Sequence, residues 1–158
     1  MKETQMKTWL ALLLIALALP AWADRFSVPK HAAFDEECAS CHLAYPPQLL
    51  DAVSWRALME NLPRHFGVDA SLDDNRRLAI TDFLTRHAGR GGSTTSSGKP
   101  LLRITETPWF RREHDEIAAP TWQRTAIKSP ANCAACHTQA ASGDFRERNI
   151  HIPKRGTP

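Results

Sequence analysis

Cys38-Ala39-Ser40-Cys41-His42 and Cys133-Ala134-Ala135-Cys136-His137 are two copies of one pattern, Cys-x-x-Cys-His. Together they use all 4 cysteines of the 158-residue chain. In this pattern the two thiols form thioethers to the vinyl groups of a haem, and the adjacent histidine binds the iron from one face. Two other chemistries compete for paired cysteines. Two disulfides would suit an oxidising compartment, and four thiolates would suit a structural zinc ion. Neither accounts for a histidine after the second cysteine in both copies. The pattern therefore points to two covalently held c-type haems. Cys38, Cys41, Cys133 and Cys136 are the attachment residues, and His42 and His137 the proximal iron ligands.

The start of the chain reads as an export signal. Lys2 and Lys7 form a basic flank, residues 9–19 are an apolar run, and Ala21-Trp22-Ala23 is a small-x-small cleavage site. That run has 11 residues, against the ~20 that a membrane span needs. Cleavage after Ala23 is expected to leave a periplasmic protein that is not embedded in the membrane. Its roughly 135 residues suit one compact domain or two very small ones. The formal net charge of the whole chain is +3, and Arg76-Arg77 and Arg111-Arg112 are isolated pairs. Nothing here forms the basic stripe that a nucleic acid would require.

Composition divides the mature chain. Residues 88–100 read AGRGGSTTSSGKP, a tract without apolar periodicity that marks a flexible connector. The expected organisation is a signal peptide at 1–23, an N-terminal haem domain at 24–90, a linker at 91–100 and a C-terminal haem segment at 101–158. The last piece is too small to build much core from protein alone. Its haem must supply part of the apolar interior, and it is expected to pack on the first half.

Helical spacing dominates the N-terminal half. A short helix over residues 34–41 would carry the first attachment motif, with Tyr45-Pro46-Pro47 ending it. Val53, Ala57, Leu58 and Leu62 recur at helical intervals over residues 50–62. Residues 71–74 offer an N-cap and an acidic first turn for a third helix running to about residue 87. These parts resemble a small class I cytochrome c, so the fold class is all-α. In the C-terminal segment, Thr107-Pro108 starts a helix over residues 109–117. A second attachment helix is expected around Cys133, in an otherwise irregular or helical segment. The polar tail, residues 146–158, is expected to wrap.

The second axial ligand of each iron decides between electron transfer and small-molecule chemistry. After residue 23 the only methionine is Met59, which falls among Leu58 and Leu62 and suits core packing. His31, His65, His87, His114 and His151 remain. His65 is assigned to the first iron. It lies 23 positions after His42, on the loop before the third helix, the region that delivers the distal ligand in class I cytochromes. His114 is assigned to the second iron, 23 positions before His137, with Trp109 and Phe110 available to wall the haem. His31 and His87 are the reserves, and His87 also suits a helix C-terminus as a capping cation.

Longer stretches carry a more specific likeness. Residues 37–42, Ala44-Tyr45-Pro46-Pro47, Ser54-Trp55, Leu58-Met59 and His65-Phe66-Gly67 resemble the bacterial dihaem cytochrome c family called DHC. Arg103-Ile104-Thr105, Pro108-Trp109-Phe110, Arg112-Glu113-His114, residues 132–137, Gly143-Asp144-Phe145 and Ile152-Pro153 extend the resemblance through the second half. It implies bis-histidine haems, with His65 and His114 inside matching motifs. It also implies a periplasmic partner, a monohaem cytochrome c able to bind oxygen, often fed from a membrane cytochrome b. The expected function is relaying electrons between redox proteins, without catalysis. The competing readings are a small dihaem peroxidase or nitrite-reductase-type enzyme, a haem-based sensor, and an electron-transfer subunit of a larger reductase.

Overall fold

Side-chain caps fix where the helices of the N-terminal half begin. The structure is a computed structural model and describes residues 25–27, 29–90, 94–95 and 97–154. The export segment assigned to residues 1–23 lies outside these residues, as does part of the connector. Helix α1 is Ala32–Cys38, and His31 Nδ1 accepts from the Phe34 amide at 3.2 Å. Helix α2 is Ala52–Met59, capped by Asp51, whose Oδ1 accepts from the Ser54 amide at 2.8 Å. Helix α3 is Asp74–Arg86, capped by Asp73 through the Arg76 amide at 3.0 Å. Ser71 is not the cap, because its amide and hydroxyl both donate to Asp69 Oδ1.

These three helices enclose one core. Phe34 of α1, Trp55 and Met59 of α2, and Ile80, Phe83 and Leu84 of α3 meet with Leu50 and Leu62. Each large apolar side chain buried in this way contributes about 1.5–3 kcal/mol. The Trp55 indole is satisfied by the Pro47 carbonyl at 2.7 Å, so its polar edge costs little. Beyond α3 the chain crosses back over residues 48–50. There the Gly89 amide donates to the Leu50 carbonyl at 2.8 Å. A Cβ at Gly89 would stand 2.2 Å from the Gln48 carbonyl oxygen, so only glycine passes.

The C-terminal half is helical in short pieces. Helix α4 is Pro108–Glu113 and helix α5 is Ala119–Trp122. Single 3-10 turns occur at Ile104–Glu106, Cys133–Ala135, Ala140–Ser142 and Glu147–Asn149. Among the described residues no strand forms, only isolated bridges, and the fold is all-α. Thr107 caps α4 through the Phe110 amide at 3.1 Å, beside Pro108 at the first helical position.

Four helices are shorter than the sequence predicts, among them α2, which covers Ala52–Met59 of the expected 50–62, and local hydrogen bonds explain two of them. Helix α1 stops at Cys38 because Ser40 Oγ donates to the Glu37 carbonyl at 2.8 Å. Helix α4 stops at Glu113 because His114 Nδ1 donates to the Phe110 carbonyl at 2.9 Å. That carbonyl is the acceptor that the His114 amide would use in a continuing helix. The second attachment motif forms only the turn Cys133–Ala135, since the stretch after Ser129-Pro130 has no apolar stripe to support a longer helix.

The halves interlock. The Phe26 amide donates to the Gly143 carbonyl at 2.8 Å, and the Phe26 ring packs edge-on against Trp109 and Phe145. In return Ile104 packs against the N-terminal core. Few apolar residues of the second half are buried, chiefly Phe110, Ile127 and Ala140. Residues 151–153 fold over the attachment turn, with the His151 amide donating to the Cys136 carbonyl and Arg124 Nη1 to the Pro153 carbonyl.

Ile80→Ala should destabilise the holoprotein by about 2–5 kcal/mol, read from denaturant unfolding. Leu78→Ala, on the exposed face of the same helix, should stay within about 0.5 kcal/mol. Equal losses at both positions would contradict this core.

Candidate functional site

Two histidine pairs face one another at the same separation. The rings of His42 and His65 have centroids 6.1 Å apart, and those of His114 and His137 are also 6.1 Å apart. With a metal–imidazole bond of about 2 Å, two imidazoles on opposite sides of one iron have ring centres roughly 6 Å apart. Both pairs have that spacing.

His42 follows α1 and is exposed; its Nδ1 lies 2.7 Å from the Leu43 carbonyl. A carbonyl can only accept, so Nδ1 carries the proton and Nε2 keeps its lone pair for a metal. His65 ends the 3-10 turn Leu62–Arg64 and turns back through Phe66, whose φ is +50°, and Gly67, whose φ is +100°. Burial, then His42 and Arg103, lower the His65 pKa and favour its neutral, ligating form. Arg103 of the second half lies over the Phe66 ring at 4.0 Å and so braces this loop.

The second pair is built differently. His114 lies at the C-cap of α4, with its Nδ1 proton on the Phe110 carbonyl and its ring stacked on Phe110 at 4.1 Å. Trp122 of α5 lies 5.8 Å away. His137 follows the Cys133–Ala135 turn, and its amide donates to the Cys133 carbonyl at 2.9 Å. Phe145 packs against its ring at 5.0 Å.

None of the four cysteines is in a disulfide. Burial pushes Cys38 and Cys133 up to about 11, with Glu37 and Asp35 adding to the effect at Cys38. Among the described residues no cluster of His, Cys, Asp or Glu is arranged to hold a metal ion directly. Of the remaining histidines, His31 caps α1 and stacks on Phe83, His87 sits at the C-cap of α3, and His151 is exposed. Met59 lies in the core. Arg76 pairs with Glu36 and Glu37, tying α3 to α1, while Arg77 pairs with Asp74 and Arg112 with Glu113.

Tyr45, read from the sequence as part of a helix stop and of a family-like stretch, joins the two sites. Its ring stacks on His42 at 4.8 Å, and its hydroxyl donates to the Ala131 carbonyl, two residues before Cys133, at 2.6 Å. Its pKa is pushed up to about 12, first by burial and then by Cys133. The available signal was that it is the only tyrosine and lies three positions from His42. Trp109 packs on Phe26, and Phe110 stacks on His114 of the second pair.

The model of the dihaem cytochrome c family matches residues 34–145. The chain belongs to the dihaem cytochrome c family. Among solved structures, DHC purified from Rhodobacter sphaeroides is 47% identical, over 75% of this chain and 99% of that one, with a TM-score of 0.64. A diheme cytochrome type c from Shewanella baltica OS155 is 38% identical, over 82% and 98%, with a TM-score of 0.71. A diheme cytochrome c from Rhodobacter sphaeroides is 43% identical, over 75% and 98%, with a TM-score of 0.66. No curated protein matches. The family implies electron transfer, and this dihaem cytochrome carries two covalently bound c-type haems.

The residues fit that cofactor. A cavity of about 540 Å³ is lined by Cys41, His42, His65, Leu58 and Trp55 from the first half and by Cys133 from the second. Apolar walls, cysteines outside any disulfide and facing imidazoles are the donor set that a covalent haem needs. Among the described residues no helix is long and apolar enough to cross a membrane.

Asp144 organises the C-terminal site. Buried beside His137's neighbour Phe145, it accepts from Arg146 Nε at 2.9 Å and Asn149 Nδ2 at 3.0 Å, and it pairs with Arg146 Nη2. Arg146 holds its carboxyl well below the usual carboxylate range. The folded state thus binds this proton less readily than the unfolded chain. The stabilisation is complete above the unfolded pKa near ~4 and drains away as pH falls towards the depressed folded value. Asp144→Asn should lower the thermal midpoint at neutral pH, with the gap to the parent narrowing below about pH 4. A gap that does not change with pH would argue against this network.

Proposed function

We propose that the protein is a periplasmic electron-relay cytochrome with both irons bound by two histidines, His42 with His65 and His114 with His137. The observation that carries this reading is the shared 6.1 Å spacing of the two imidazole pairs. When bound, each haem supplies a one-electron ferric–ferrous couple, and histidine at both axial positions leaves its potential lower than a histidine–methionine pair would.

The chain's own residues do the rest. Cys38, Cys41, Cys133 and Cys136 hold the rings covalently in both redox states. The Leu43 and Phe110 carbonyls fix the tautomer and aim of His42 and His114. Tyr45 keeps the two attachment regions in contact, giving the short separation that electron transfer requires. The export-type start of the chain supports the periplasmic location. The family resemblance supports a small monohaem, oxygen-binding cytochrome c as partner and a membrane cytochrome b as donor.

Saturated irons should give no prompt spectral change when reduced holoprotein meets carbon monoxide. His65→Ala and His114→Ala should each open one iron and gain about one equivalent of carbon monoxide binding, while His31→Ala and His87→Ala gain none. Prompt binding by the parent protein would overturn the relay reading in favour of an enzyme.

A further inference from the structure

We infer that the two haem centres differ in how their axial imidazoles cross, and that Phe110 is the positioning residue that sets the crossed arrangement at the C-terminal centre. This rests on the bis-histidine reading above. An imidazole bound through nitrogen has its plane along the metal–nitrogen line. For two rings on opposite sides of one iron, the angle between their planes is therefore the angle between their π systems, viewed down that line. His42 and His65 are 24° apart in plane and His114 and His137 are 77° apart. One pair is close to parallel and the other close to perpendicular.

The electronic consequence follows from orbital overlap. Parallel imidazoles donate π density to the same iron d orbital and split it from its neighbour. Crossed imidazoles raise both d orbitals together and leave them nearly equal in energy. A ferric low-spin iron in the first setting has its unpaired electron pinned along one direction of the ring. In the second setting it has no such preference.

The scaffold explains why the angles differ. The plane of His42 is held by the Leu43 carbonyl and by Tyr45, whose ring lies within 24° of it. His114 is held twice by one residue: its Nδ1 is bonded to the Phe110 carbonyl, and its ring lies 19° from the plane of the Phe110 ring. Phe110 is itself buried, and its amide is fixed by Thr107. The His137 plane is set on the other side, where Phe145 packs at 52°. Nothing in the two attachment motifs themselves would produce this difference.

Low-temperature EPR of the oxidised holoprotein tests the inference. The expected result is two low-spin ferric signals, one rhombic with resolved features and one with a single strongly anisotropic low-field feature. His65→Met should remove the rhombic signal and His114→Met the anisotropic one. Phe110→Leu keeps the carbonyl but loses the stacking face, and should move the anisotropic signal towards rhombic while sparing the other. Phe110→Tyr keeps the face and should keep the parent spectrum. Two rhombic signals in the parent protein would overturn the inference without any variant, as would an anisotropic signal indifferent to Phe110→Leu. A high-spin signal in the parent, or a His114→Met variant that alters neither low-spin signal, would overturn the bis-histidine reading itself and this inference with it.

Discussion

In each half an imidazole is aimed at its partner by a hydrogen bond from Nδ1 to a main-chain carbonyl, Leu43 for His42 and Phe110 for His114. That bond leaves Nε2 as the free nitrogen and fixes the direction in which it points. The local chain is arranged around it. The second instance truncates α4, because the ring takes the acceptor that the helix would have used. On the opposite side, the Phe66-Gly67 turn and Arg103 hold His65 to face His42. The two halves thus reach similar ring separations by different means.

The N-terminal half was largely legible from its sequence because its signals are periodic. Leu58 and Leu62 lie at helical intervals in or against a protein core, although Val53 of the same periodic set is exposed. The cap signal at residues 71–74 falls on Asp73 at the start of α3. The C-terminal half was legible at Thr107-Pro108, where a cap and a proline coincide, and at its Cys-x-x-Cys-His motif. Between those points its structure comes from side chain to main chain bonds, such as Asn132 Nδ2 to the Ile127 carbonyl and Ser142 Oγ to the Gln139 carbonyl. Such bonds leave no period to detect, so the expected second attachment helix is only a turn.

The facing partners were visible as histidines at equal distances along the chain, His65 after His42 and His114 before His137, and as members of family-like stretches. The roles of Tyr45 and Phe110 were harder to see, because each depends on ring planes and on a carbonyl that the sequence does not place. His31 shows the converse. Eleven residues from His42 it looked available as a ligand, yet its nitrogen accepts from the Phe34 amide and its ring lies on Phe83.

Residues 25–27 bear on how the molecule must be made. Arg25 bridges to Asp144 and Phe26 bonds to Gly143, about 120 positions later in the chain. A segment made early therefore waits for one of the last to be made. Contacts this distant are slow to close, so both porphyrins can be ligated to an open chain before the two ends meet and lock the assembly.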